Sequence, residues 1–384
     1  MDFDLSAEQQ ELRAVVRAFA DEVVAPAAEV HDREATFPLE VVQQMAELGF
    51  FGLTLPEAYG GSDAGTLAFA VVLEELGRAD QSVAVTVSVS GSLAGGMIAR
   101  LGTDQQKERW LPDLAAGTAL ASFALTEPGG GSDAAAARTT AKLEDGEWVL
   151  EGSKAFITNS GTPITSVHVV AAVTDPGQGP RGLSSILVPA GTEGLTVGAA
   201  YRKMGWHAGD THELAFDGCR VPEDHLLGER GRGFAQALSS LDGGRIAIGA
   251  IATGLAQACL DHSLAYATER EAFGKRIGTY QLIQAKLADM RAKTEAARLL
   301  THRAAWLRDQ GRPHVAEAAT AKLVASEAAV WCAREAVQIH GGYGYIEEFP
   351  VARFYRDAKV LEIGEGTSEI LRLVIARDLG APSA

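Results

Sequence analysis

The chain is 384 residues long, 47% hydrophobic and 22% charged, the profile of a folded protein with room for two or three domains rather than of a disordered one. Its net charge of −16, from 34 basic and 50 acidic side chains, argues against nucleic acid as the main partner, because a phosphate backbone selects basic surfaces. Cys219, Cys259 and Cys332 stand far apart without metal-ligand spacing, so no structural metal and a reducing compartment are expected.

Met1 to Leu12 carries Asp2, Asp4, Glu8 and Glu11 and no apolar signal core, and no uncharged run of 18 apolar residues follows. A cytoplasmic protein without a membrane span is expected. Leu5, Leu12, Val15, Val16, Phe19 and Val23 recur at three- and four-residue steps, the stripe of an amphipathic helix. Further helices are expected over 39–47, 66–77, 83–101 and 105–114. From Ser122 to Pro222 the texture changes to short apolar runs, 122–126, 148–157, 167–173, 183–188 and 214–216, separated by Gly, Asp, Asn and Pro as turns between antiparallel strands are. Long helices return over 234–269, 280–310 and 313–340, with Pro313 expected in a first helical turn and a last helix running from 367–368 to Gly380. The expected fold is α+β and multidomain: an N-terminal helical domain (1–120), a middle antiparallel β domain (121–228) and a C-terminal four-helix bundle (229–384).

Some segments carry chemistry. In Thr126-Glu-Pro-Gly-Gly-Gly-Ser132-Asp133, consecutive glycines let backbone N–H groups approach a ligand, though a plain turn reads equally well. In Lys154-Ala-Phe156-Ile-Thr158-Asn159, an aromatic and a hydroxyl two positions apart share one strand face, as they also do in an ordinary amphipathic strand. Glu365 lies between Gly364 and Gly366. A carboxylate freed of neighbouring side chains and set in an apolar pocket has its pKa raised toward neutrality, which suits a base; the plainer reading is an acid at a helix start. Arg245 in an apolar helix calls for a partner such as Asp242, and Arg270 with Lys275 is suited either to a pyrophosphate or to a helix C-terminus.

Taken together and in this order, Phe123–Asp133, Lys154–Asn159, Leu241–Ile246, Arg270–Lys275, Gln338–Gly344 and the closing Arg356-Asp-Ala-Lys…Glu365-Gly-Thr-Ser-Glu369 resemble the acyl-CoA dehydrogenase family across essentially the whole chain. Leu-Asp-x-Gly-Arg-Ile and Glu-Gly-Thr-Ser-Glu-Ile resemble its short-chain and short-branched-chain members most. The resemblance implies FAD, a homotetramer or homodimer, an acyl-CoA substrate and electron-transferring flavoprotein as oxidant. It implies FAD contacts at Phe123, Leu125, Thr126, Gly131, Ser132, Phe156, Ile157, Thr158, Thr367 and Glu369. Arg270, Phe273, Gln281, Gln338, Gly341 and Gly342 match an arm that reaches the FAD of a neighbouring subunit. Ser132, Asp242, Arg245, Gly364 and Gly366 fall on the acyl-CoA side, with Glu365 as the base.

The same resemblance implies α-proton removal by Glu365, hydride transfer to flavin N5 and a trans-2-enoyl-CoA product. The backbone N–H of Glu365 and a flavin ribityl hydroxyl polarise the thioester carbonyl. Gly364 stands where straight-chain members often carry Tyr, which implies a pocket open to branched acyl groups. Isovaleryl-type members share that glycine but carry their base at the position of Gly244, which keeps Glu365 as the base here. Ala272 replaces a hydroxyl found in some relatives, so one FAD contact is expected to be absent. The other expectations that fit are the same chemistry on a carrier-protein thioester, an oxygen-using oxidase of the same fold, and a non-catalytic scaffold.

Overall fold

The Ser6 hydroxyl accepts the Gln9 N–H at 3.2 Å while the Gln9 side chain accepts the Ser6 N–H at 3.0 Å, so α1 (Ala7–Phe19) starts on a capping box. The computed structural model describes residues 4–382. A π-helical turn (Ala20–Val24) continues α1 into α2 (Ala25–Glu34), and α3 (Leu39–Glu47) follows. Leu12, Phe19 and Val23 of the sequence stripe pack on the core, whereas Val15 is half-exposed. α4 (Gly65–Ala79) is stopped by Asp80, whose extended backbone and carboxylate cap α5 (Gln81–Val87) through the Ser82 N–H at 2.8 Å. A π segment (Ser88–Ala94) joins α5 to α6 (Gly95–Leu101), and α7 (Asp104–Ala115) closes the helical part.

The middle region is one sheet of β1 (Leu120–Ala124), β2 (Thr140–Glu144), β3 (Glu147–Thr158), β4 (Thr165–Val173), β5 (Leu183–Pro189), β6 (Leu195–Val197), β7 (Thr211–Pro222) and β8 (Leu226–Leu227). The strand order is β6-β7-β3-β2-β4-β5-β8. Two parallel contacts correct the all-antiparallel expectation. β1 pairs in parallel with β4, and β2 touches β4 in parallel at Thr140 and Val173. The chain returns from β1 to β4 through the glycine loop and the β2–β3 hairpin, a route long enough to reverse direction. Phe156 and Thr158 keep to the outer face of β3 as expected, but φ at Phe156 is +60° and the β3–β7 register slips between Lys154 and Ile157. This bulge turns Phe156 outward while Ala155 and Ile157 stay buried.

α8 (Gly233–Glu269) then crosses the whole molecule. A two-residue turn, Phe273–Gly274, with φ of +53° and +78° folds β9 (Glu271–Ala272) onto β10 (Lys275–Arg276), as a primed hairpin turn requires. α9 (Gln281–Asp309), α10 (Val315–His340), α11 (Pro350–Ala358) and α12 (Ser368–Asp378) complete the bundle. Pro313 is not in a first turn: it precedes the N-cap His314. α11 was not expected from the sequence, because its apolar positions Val351 and Phe354 are too few to stand out. Gly380, with φ of +78°, follows the C-cap Leu379 as expected.

The helices 81–101 and 233–269 are apolar and long enough to cross a membrane, with mean hydropathy 1.5 and 1.2, but they are 83% and 94% buried inside the fold. They are core helices. α11 docks through a buried polar junction in which Asp357 accepts the Trp206 N–H at 2.6 Å and lies 3.7 Å from Arg353, itself 3.7 Å from Asp80.

Candidate active site

Glu365 lies in the turn between Leu361 and α12, with φ of +53°, and Gly366 follows at +101°. This pair of left-handed residues takes the acid away from the helix start. Glu365 sits two residues before the N-cap Thr367, outside the first turn that Glu369 occupies. Its carboxylate is turned instead onto α8, where a Cβ built at Gly244 would overlap it. Oε2 is buried without a hydrogen-bond partner. Burial pushes the Glu365 carboxyl up to about 7, against the opposing pull of Lys322 and Arg245. A half-buried carboxylate with one oxygen buried and unpaired, poised near neutrality, is suited to accept a proton.

The flanking groups are fixed by packing. Arg245 is buried and donates to Asp242 at 2.7 Å, leaving its Nε without a partner. At Gly364 a Cβ would meet nothing nearer than the Val360 carbonyl at 3.7 Å, so the space beside the base is open. Phe123 and Leu125 at the end of β1 pack with Ala171, Ala237 and Leu241, which joins the sheet to the same helix that receives Glu365. From there the chain enters the glycine loop, where Thr126 is half-buried and Gly131 and Ser132 are exposed. The loop is tied down by the Thr126 carbonyl, which accepts the Ala155 N–H at 2.9 Å.

Sequence reading missed what lies beneath that loop. Lys154 is fully buried and donates to Glu127 at 2.8 Å and to the Leu125 carbonyl at 3.2 Å, while Glu127 also accepts the Arg138 and Thr139 N–H groups. The pair locks the glycine loop to the strand of Phe156, Ile157 and Thr158. Phe156 is 64% exposed and lies against Tyr201 with centroids 4.9 Å apart. Also missed was Lys322, fully buried on α10, whose Nζ donates to the Gly366 carbonyl at 2.8 Å. Its signal was a lone cation flanked by the buried alanines Ala318, Ala321 and Ala325 at helical spacing.

The remaining candidates gather elsewhere. Arg270, Gly341 and Gly342 line a cleft of about 490 Å³ with Tyr266, His340 and Tyr343, and the Arg270 guanidinium lies 5.5 Å from the Tyr343 ring. Gln338 caps this end of α10 by accepting the Gly341 N–H, and Gln281 begins α9. Phe273, at the hairpin tip, is 96% exposed and reaches no part of the base site in this chain. Ala272 contributes its carbonyl, which accepts the Tyr280 hydroxyl at 2.8 Å. Thr367 caps α12 and Glu369 is exposed in its first turn.

A planar, pyrophosphate-bearing cofactor suits this layout. Phe156 offers a largely exposed ring beside Tyr201, and Cβ atoms built at Gly129, Gly341 and Gly342 would meet nothing within 4 Å. Among the described residues no group of His, Cys, Asp and Glu is arranged to hold a metal.

Comparison with known proteins places the chain in a family. Family models for the N-terminal, middle and C-terminal domains of acyl-CoA dehydrogenase match residues 6–118, 122–219 and 231–380. They define an oxidoreductase acting on CH–CH bonds, with FAD as its cofactor. Mouse short-chain specific acyl-CoA dehydrogenase is 48% identical over 98% of this chain and 91% of the relative. Butyryl-CoA dehydrogenase from Megasphaera elsdenii superposes with a TM-score of 0.96 at 41% identity, covering 99% of this chain and all of the other. A chain solved in work on the electron transferring flavoprotein of Acidaminococcus fermentans gives the same TM-score and identity over 99% of both chains. The chain belongs to the acyl-CoA dehydrogenase family.

Proposed function

We propose that the protein desaturates short or short-branched acyl-CoA thioesters to trans-2-enoyl-CoA, with Glu365 as the base. The observation that carries this reading is the Glu365 carboxylate seated over Gly244 with Oε2 buried and unpaired. A carboxylate held near neutrality by burial is ionised enough to accept a proton, yet basic enough to take a weakly acidic one. The Glu365 N–H donates to no other described residue, so it is free to stabilise developing charge on a thioester oxygen. Phe123, Leu125, Thr126, Ser132, Phe156 and Thr158 would hold the FAD, which when bound supplies the two-electron acceptor for the β-hydride. Asp242 and Arg245 support the acyl side, and burial of this wall keeps water from the developing charge.

The short-chain name of the mouse relative and the open space at Gly364 support the substrate range. The comparison with the electron transferring flavoprotein work supports such a flavoprotein as oxidant. The exposed Phe273 on its hairpin supports assembly with further copies of the chain. The test is anaerobic flavin bleaching by butyryl-, isobutyryl-, 2-methylbutyryl-, isovaleryl- and octanoyl-CoA, with wild type and Glu365→Gln. The variant is expected to stay yellow and folded and to lose bleaching by ~10²–10⁴-fold. Retention of more than about one percent of the wild-type rate removes Glu365 as the base, and fastest bleaching by octanoyl-CoA removes the short-chain assignment.

A further inference from the structure

We infer that Lys322 is the positioning residue of the base: from α10 it holds the Gly366 carbonyl, fixes the turn that aims Glu365 at Gly244, and provides the positive charge that keeps the carboxylate ionised. This rests on the reading of Glu365 as the base. The Glu365–Gly366 turn takes two consecutive positive φ values, one of them at a non-glycine residue, and such a conformation persists only where its surroundings impose it. The Lys322 side chain is buried over its whole length, and its bond to the Gly366 carbonyl at 2.8 Å is its one hydrogen bond within the described residues. Among the described residues no carboxylate lies within ion-pairing distance of Nζ. A buried lysine without an ion pair is costly, so a charge placed here stabilises something that an alanine-rich helix does not need.

The charged groups facing the base are few. α8 presents Arg245, which is paired with Asp242; α10 presents Lys322; Glu362 and Glu369 lie on either side of the turn and act on Lys322. Arg245 is therefore largely neutralised by its own partner, which leaves Lys322 as the main counter-charge to Glu365. Lys322 pulls the Glu365 carboxyl down more strongly than Arg245 does, and burial in turn lowers Lys322 to about 8.

The test uses the FAD-loaded enzyme. Lys322→Met, Lys322→Gln and Lys322→Arg are compared with wild type by FAD content, melting temperature and the pH dependence of kcat/KM for butyryl-CoA. Loss of the charge is expected to move the acid limb up by about one unit, the low end of the effect of a nearby opposite charge, since Nζ and the carboxylate interact without forming an ion pair. The ionised fraction at pH 7 then falls from about a half to about a tenth. The Arg variant is expected to keep the limb near the wild-type position. The Gln variant retains a donor for Gly366 and is expected to shift the limb as the Met variant does, so a poorly folded Met variant leaves the answer intact. A lowered melting temperature or FAD content with an unmoved acid limb overturns the inference, because a merely structural lysine behaves so. Failure of the base assignment shows separately, as bleaching by Glu365→Gln.

Discussion

Alanine at Gly244 is expected to displace the base without altering it. The added methyl overlaps the Glu365 carboxylate, whose side chain is the movable partner because the α8 backbone is held on all sides. Relieving the overlap requires the carboxylate to swing away by more than about 1 Å, and a displacement of that size at a reacting group costs on the order of 10²-fold in rate. Stability changes little. Alanine improves helix propensity by up to ~1 kcal/mol, which offsets part of the ~1–3 kcal/mol typical of overpacking. The assay is single-turnover anaerobic bleaching by butyryl-CoA, with FAD stoichiometry and melting temperature measured on the same preparation. Gly96→Ala is the control, since a methyl there meets nothing within 4 Å. A Gly244→Ala enzyme that bleaches within about threefold of wild type refutes the seating of Glu365 on α8, given the cost of misplacement.

Tyrosine at Gly364 has room for its Cβ and ordinary backbone geometry, so Gly364→Tyr is expected to fold. It narrows the space beside the base and lowers kcat/KM for isobutyryl-CoA relative to butyryl-CoA by ~10–200-fold, and an unchanged ratio of the two would show that position 364 does not wall the acyl group. Asp357 is raised to about 7 by burial, so the folded protein takes up a proton there that the unfolded chain releases near 3.8. Its contribution to stability is full below about pH 4 and is lost as pH rises through 7, at most about 4 kcal/mol at 1.36 kcal/mol per unit. Asp357→Asn keeps an acceptor for the Trp206 N–H and is expected to flatten the fall in melting temperature between pH 5 and 8. Parallel curves for the two proteins would remove Asp357 as a source of that slope.

Local periodicity and turn chemistry carried most of the architecture. The helical stripe before residue 24, the Gly- and Asp-punctuated strands and the long alanine-rich helices are nearest-neighbour properties, so helix, sheet and bundle could be read in order. The parallel pairing of β1 with β4 could not, because strand direction is set by the path between strands rather than by either strand's residues. The bulge at Phe156 was hidden for a similar reason: a positive φ at an aromatic residue has no signature in a pattern of period two.

The candidate site divides in the same way. Residue identity and motif company brought Glu365, Gly364 and Gly244 together as one question, but on its own Glu365 read more readily as an acid at a helix start than as a base. Only the tertiary structure shows that the acid is not placed at the helix start, because the carboxylate is turned away from α12 and onto the bare backbone of α8. Lys322 and the Glu127–Lys154 pair escaped notice because a lysine's role depends on what its long stem can reach, and each partner lies on a different element. The sequence by itself determined which chemical groups are available and which elements carry them. Burial, charge pairing and the resulting basicity of Glu365 arise from contacts between residues distant in the chain, and so exist only once α8, α10 and the 361–367 turn have packed together.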